Sequence, residues 1–146
     1  TPEATHLIKV ACETASGARD SMNIFGTDYD TPDGSCVRDY IHVDDLASAH
    51  LCALDYLNNG GQSDFLNCGY GRGYSVKEVV EMVKQVSGVD FTTIEVYRRA
   101  GDPPSLIADN RRIKSLLNWS PRYNDLDLIC RTAYQWEQTW QARRQG

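Results

Sequence analysis

Arg38-Asp39-Tyr40-Ile41-His42-Val43-Asp44-Asp45-Leu46-Ala47 places four charged side chains within eight residues and then runs into an apolar-periodic stretch. It reads as a charged strand feeding an amphipathic helix. Unpaired Arg or Asp buried in a core costs several kcal/mol, so a polar partner is expected against this strand. A second cluster, Arg98-Arg99-Ala100-Gly101-Asp102, repeats the pattern. A guanidinium fork suits phosphate oxygens and a carboxylate accepts from vicinal hydroxyls, so the two clusters suit a ligand carrying phosphate and sugar. An internal Arg-Asp salt bridge explains the same residues equally well.

Outward from the quoted run, Leu46, Ala49, Leu51, Ala53, Leu54 and Leu57 give a helix, broken at Asn58-Asn59-Gly60-Gly61, with Asp44 or Asp45 as its cap. Upstream, an apolar stripe from Thr5 to Ser16 predicts a first helix, and Met22 to Phe25 a strand. The loop Gly26 to Ser35, rich in turn formers, is longer than a simple connection needs and ends just before Arg38. Downstream, Asp64 to Cys68 is a strand candidate, and Ser75-Val76-Lys77-Glu78 has the pattern of a capping box. Val76, Val79, Val80, Val83 and Val86 then line one helical face, ending at Gly88. Phe91 to Tyr97 has strand composition and delivers Arg98 and Arg99. Asp109 is expected to cap a short helix, and Asn124 a last helix burying Ile129, Ala133, Trp136 and Trp140. Strands alternating with helices make an α/β or α+β domain.

Composition narrows the function. The 146 residues suffice for one core, and 41% apolar with 24% charged content is that of a globular chain. A net charge of -5 disfavours nucleic acid as a partner. No apolar run approaches the roughly 20 residues of a membrane span, and the first residues lack signal-peptide order, so a cytoplasmic location is the expectation. Five cysteines without a Cys-x-x-Cys pair point to reduced thiols and to neither zinc nor a disulfide framework. His6, His42 and His50 lie in no hydrolase or metalloprotease signature, and His42 reads as hydrogen-bonded structure. Gly69-Tyr70-Gly71-Arg72-Gly73 has the wrong spacing for a dinucleotide loop, leaving a turn beside the ligand as its reading.

Four segments carry a family resemblance: Thr5-His6-Leu7-Ile8, Ile24-Phe25-Gly26-Thr27-Asp28-Tyr29, the run from Thr31 to Ala47, and Arg98-Arg99-Ala100-Gly101-Asp102-Pro103-Pro104. From Thr5 to Trp140 the chain resembles the C-terminal, substrate-binding portion of UDP-glucose 4-epimerases, in the extended short-chain dehydrogenase/reductase superfamily. The resemblance implies a small mixed α/β domain over residues 1–146, with the N-terminal Rossmann half missing. It implies that His6, Leu7, Asn23 and Phe25 line the nucleotide pocket, Phe25 near uracil. Arg38 and Arg99 would grip the diphosphate, Asp102 the ribose hydroxyls, and Tyr40 and Val76 the wall, with Leu106 near the sugar.

No catalytic residue and no metal ligand is implied within this chain. The family's glycine-rich NAD loop and Tyr-x-x-x-Lys pair lie in the other half, so NAD belongs to the full-length enzyme and none is expected here. The parent reaction would interconvert UDP-glucose and UDP-galactose, with hydride leaving C4, the 4-keto sugar turning, and hydride returning to its other face. The full-length enzyme would be a homodimer. The isolated chain is expected to be inactive and to associate through exposed apolar surface. Alternatives are a non-catalytic nucleotide-sugar-binding or assembly module and a fragment of a related sugar-nucleotide dehydratase or decarboxylase.

Overall fold

The computed structural model describes residues 5–145. Its main core forms where three helices meet, and each helix has a sequence reason to face inward. Helix α1 (Leu7–Ala15) turns Ala11, Cys12 and Ala15 inward. After strand β1 (Ser21–Phe25) and the loop, β2 is only Val37–Arg38, and helix α2 runs Val43–Asn58. Strand β3 (Tyr74–Ser75) leads directly into α3 (Val76–Ser87), whose Val79, Val80 and Val83 are buried. The capping box is present: Ser75 accepts from the Glu78 amide, the Glu78 carboxylate accepts from the Ser75 amide, and Gly88 closes the helix in the left-handed region. Strands β4 (Thr92–Val96) and β5 (Ser105–Leu106), helix α4 (Arg111–Leu117) and helix α5 (Leu126–Gln145) complete the order.

Two small sheets carry the site. β1 pairs parallel with β4, Phe25 opposite Val96. β2 is the middle strand of the other sheet, antiparallel to β3 and parallel to β5, with Arg38 opposite both Tyr74 and Leu106. Cys12 and Cys130 meet in the three-helix core, and burial pushes both thiols up to about 12.

The structure departs from the sequence reading at several points. The charged strand stops at Arg38, and His42, not Asp44 or Asp45, caps α2: its Nδ1 accepts from the Asp44 amide. Asp45 is instead 1% exposed and accepts from the Tyr70 hydroxyl at 2.6 Å and from the Arg122 and Tyr123 amides at 2.8 Å. Burial alone would push its carboxyl up, but these three donors hold it below the usual range. Asp64 to Cys68 forms no strand, because no neighbouring strand offers it a ladder, and Phe65 is 97% exposed. Asn110 stands at the cap position of α4, with the Asp109 carboxylate accepting from the Arg111 amide; Asp125, not Asn124, accepts from the Leu128 amide at the start of α5. Trp136 and Trp140 are exposed, because the buried stripe of α5 runs through Leu126, Ile129, Cys130 and Glu137. His42 is hydrogen-bonded structure as expected, its Nε2 lying 3.0 Å from Thr132 Oγ1. Among the described residues no helix is long and apolar enough to cross a membrane.

Candidate functional site

A cavity of about 570 Å³ opens between α1, the outer edge of β1, the start of β2 and the loop after β4. Nine of the ten site residues expected from sequence line it: His6, Leu7, Asn23, Phe25, Arg38, Tyr40, Val76, Arg99 and Asp102. Leu106 does not; it stands opposite Arg38 in the ladder with its side chain 62% exposed. Thr5, Val10, Arg19, Ser21, Met22 and Cys36 complete the lining. Nothing in the sequence marks Arg19, which reaches the wall because Gly17 reverses the chain between α1 and β1 and the Glu13 carboxylate accepts from its Nε at 2.6 Å.

Each wall has a local cause. Alternation along β1 sends Met22 and Ile24 into the core and turns Asn23 outward. Phe25, at the strand's end, lies half-buried beneath Arg99, whose guanidinium carbon is 3.7 Å from the ring centroid. Arg38 comes from β2, and its Nη1 donates to the Val37 carbonyl at 2.8 Å. Its Nη2 stands 3.6 Å from Asp102 Oδ1 with both side chains partly exposed, a loose pair of the kind worth about 0–1 kcal/mol. The internal salt bridge weighed from sequence therefore exists, but it leaves both groups with bonding capacity facing the cavity. Tyr40 packs against the main core, and burial pushes its phenol above the ordinary value, with Arg38 pulling back.

The arrangement sets a flat aromatic, three guanidinium groups, of which Arg19 is bound by Glu13, and a carboxylate around one space. Chemically it can stack a planar ring, neutralise a diphosphate and accept from a diol. Among the described residues no group of His, Cys, Asp and Glu is placed to hold a metal ion.

The glycine-rich turn lies elsewhere. Its Tyr70 and Gly71 amides donate to the Asp39 carboxylate at 3.0 and 2.8 Å, and a Cβ at Gly69 would sit 2.7 Å from the same carboxylate. Amides already bound to a carboxylate, with that negative charge in the loop's centre, do not fit a dinucleotide pyrophosphate. None of residues 69–73 lines the cavity.

Residues 1–69 match the model of the NAD dependent epimerase/dehydratase family. The chain is 55% identical over 139 residues to a UDP-glucose 4-epimerase of Azospirillum brasilense, covering 95% of this chain and 40% of that protein. The solved UDP-Glc/GlcNAc 4-epimerase of Campylobacter jejuni superposes with a TM-score of 0.84 at 57% identity, over 95% of this chain and 42% of that one. The UDP-glucose 4-epimerase of Bifidobacterium longum, solved in complex with NAD+ and UDP, gives 0.85 at 31% identity over 93% and 40%. The chain thus spans about two fifths of the length of the curated relatives it matches. By sequence and by fold, it resembles a C-terminal portion of the UDP-glucose 4-epimerases.

Proposed function

We propose that this chain is the substrate-binding part of a UDP-glucose 4-epimerase and that the cavity holds the UDP moiety of UDP-glucose and UDP-galactose. The convergence of Phe25, Arg38, Arg99 and Asp102 on one space carries this reading. The uracil ring stacks on the Phe25 side, Arg38 and Arg99 neutralise the diphosphate, and Asp102 accepts from the ribose hydroxyls. His6, Leu7, Asn23, Tyr40 and Val76 shape the remaining wall. Anchoring the nucleotide leaves the hexose free to turn, so binding energy far from the reacting carbon serves the interconversion.

NAD, and the hydride transfer to and from the 4-keto sugar that it supplies, is assigned to the three fifths of the relatives' length that this chain does not span. No residue here is given a catalytic role, and the chain alone is expected to be inactive. The whole enzyme is proposed to be a homodimer.

A chimera tests the reading. The N-terminal three fifths of the Azospirillum brasilense relative, joined to this chain, should interconvert UDP-glucose and UDP-galactose with added NAD, while the chain alone should not. A chimera that folds and holds NAD yet neither binds UDP nor turns over would overturn it.

A further inference from the structure

Arg98 and Arg99 are neighbours whose side chains leave in opposite directions. Arg99 lies over Phe25 in the cavity, whereas Arg98, outside the lining, lies over the ring of Tyr29 at 4.2 Å. The Arg98 Nε donates to Asp28 Oδ1 at 2.7 Å, and its Nη2 donates to the Asp28 carbonyl oxygen. Gly26 makes this stack possible. A Cβ there would stand 2.5 Å from Tyr29 Cε2 and 2.7 Å from Arg98 Cγ, and the residue has a φ of 80°. Only glycine meets both demands.

The two segments so joined lead to two of the cavity's three arginines, Arg38 and Arg99. On one side is the loop from Gly26 to Ser35, held by Tyr29 N donating to the Gly34 carbonyl at 2.8 Å and by Thr31 Oγ1 donating to the Ser35 carbonyl at 2.7 Å. Cys36 and Arg38, both in the lining, follow it directly. On the other side, the chain from Tyr97 to Pro103 has left the ladder. Tyr97, Ala100 and Gly101 are exposed, and its own turn is a single 3.4 Å bond from Asp102 N to the Arg99 carbonyl. A segment with so few internal bonds depends on side chains to fix its course.

We propose that Arg98 is a positioning residue for nucleotide binding: by clamping Tyr29 and Asp28 it holds the Arg99–Asp102 turn and the loop leading to Arg38 as one unit. This rests on the UDP reading above. Arg98 touches no ligand. Its contribution is to remove the ordering cost that a diphosphate would otherwise meet when it draws the two arginines together.

The experiment compares the unaltered protein with Arg98→Ala and Arg98→Lys by UDP titration calorimetry and by amide hydrogen exchange without ligand. Arg98→Ala should weaken UDP binding roughly three- to ten-fold, the scale of a lost cation–π contact, and Arg98→Lys should restore much of it. Exchange at the Tyr29, Gly34 and Asp102 amides should quicken together in Arg98→Ala, while amides of α3 keep their protection. Unchanged exchange at these three amides overturns the inference whether or not UDP binds, and so does unaltered affinity. If the unaltered protein fails to bind UDP, the UDP reading falls, and the exchange measurement alone then upholds or rejects the clamp.

Discussion

The guanidinium carbon of Arg99 lies 3.7 Å from the centroid of the Phe25 ring, so a cation covers one face of the ring and leaves the other face and the ring edge to a nucleotide base. A ligand that offers a ring to Phe25 and a diphosphate to Arg99 satisfies both partners at once. Phe25→Leu keeps an apolar wall but removes the π-face. It should weaken UDP binding by about 1–3 kcal/mol, the worth of one base–aromatic stack, as read by calorimetry.

Arg38 and Asp102 stand 3.6 Å apart and face the same cavity, so their substitutions should differ in kind. Arg38→Ala removes a phosphate partner and should raise the Michaelis constant for UDP-glucose in the chimeric enzyme more than it changes NAD content. Asp102→Asn should weaken UDP binding more than binding of the 2′,3′-dideoxy analogue, since the lost acceptor serves the ribose hydroxyls. Equal losses for both nucleotides would remove Asp102 from that role.

Asp45 makes the fold acid-sensitive. Burial opposes its charge, yet Tyr70, Arg122 and Tyr123 hold its folded pKa below the unfolded value of roughly 3.9. Its stabilisation is therefore complete above that value and is lost as pH falls through the lower folded pKa. Asp45→Asn places an amide donor where three donors converge and should cost about 1–3 kcal/mol at neutral pH. Thermal melts from pH 7 down to pH 2 should show a shallower acid dependence in the variant than in the unaltered protein.

Cys12 and Cys130 should resist alkylation. Their thiols are buried and pushed up to about 12, so almost no thiolate is present at pH 8. Iodoacetamide followed by peptide mass mapping should label neither in the folded protein and both in urea.

The face of α2 turned away from α4 should drive association. Val43, Leu51 at 64% exposure, Leu54 and Leu57 all lie open on this face. Apolar patches of this kind associate unless something covers them. Sedimentation velocity of the chain alone should show concentration-dependent oligomers, and Leu51→Glu with Leu54→Glu should shift the population toward monomer.

Much of this was legible in the sequence where a local rule acts alone. The Ser75–Glu78 capping box and the valine stripe of α3 need only neighbours three and four residues away. The cavity was legible through residue chemistry together with the family resemblance, since spacing by itself left the Arg-Asp salt bridge an equal alternative. What failed depended on distant partners. Phe65 sits in a strand-like sequence with no strand beside it, and Asp45 has the look of a helix cap until Tyr70 and the Arg122–Tyr123 backbone converge on it. Trp136 and Trp140 keep helical spacing with Ala133, yet Cys130 and Glu137 define the buried stripe. Leu106, placed near the sugar by resemblance alone, stands at an exposed ladder position opposite Arg38 and outside the cavity.

The most direct measurement is titration of UDP into the protein and into its Arg38→Ala/Arg99→Ala variant, each first shown to be folded by circular dichroism. One UDP should bind per chain in the unaltered protein, with binding displaced by UDP-glucose and weakened at least about 100-fold in the double variant, the expected loss of two charge-assisted contacts. UDP binding that is absent from the unaltered protein, or equal in the two proteins, would contradict the account.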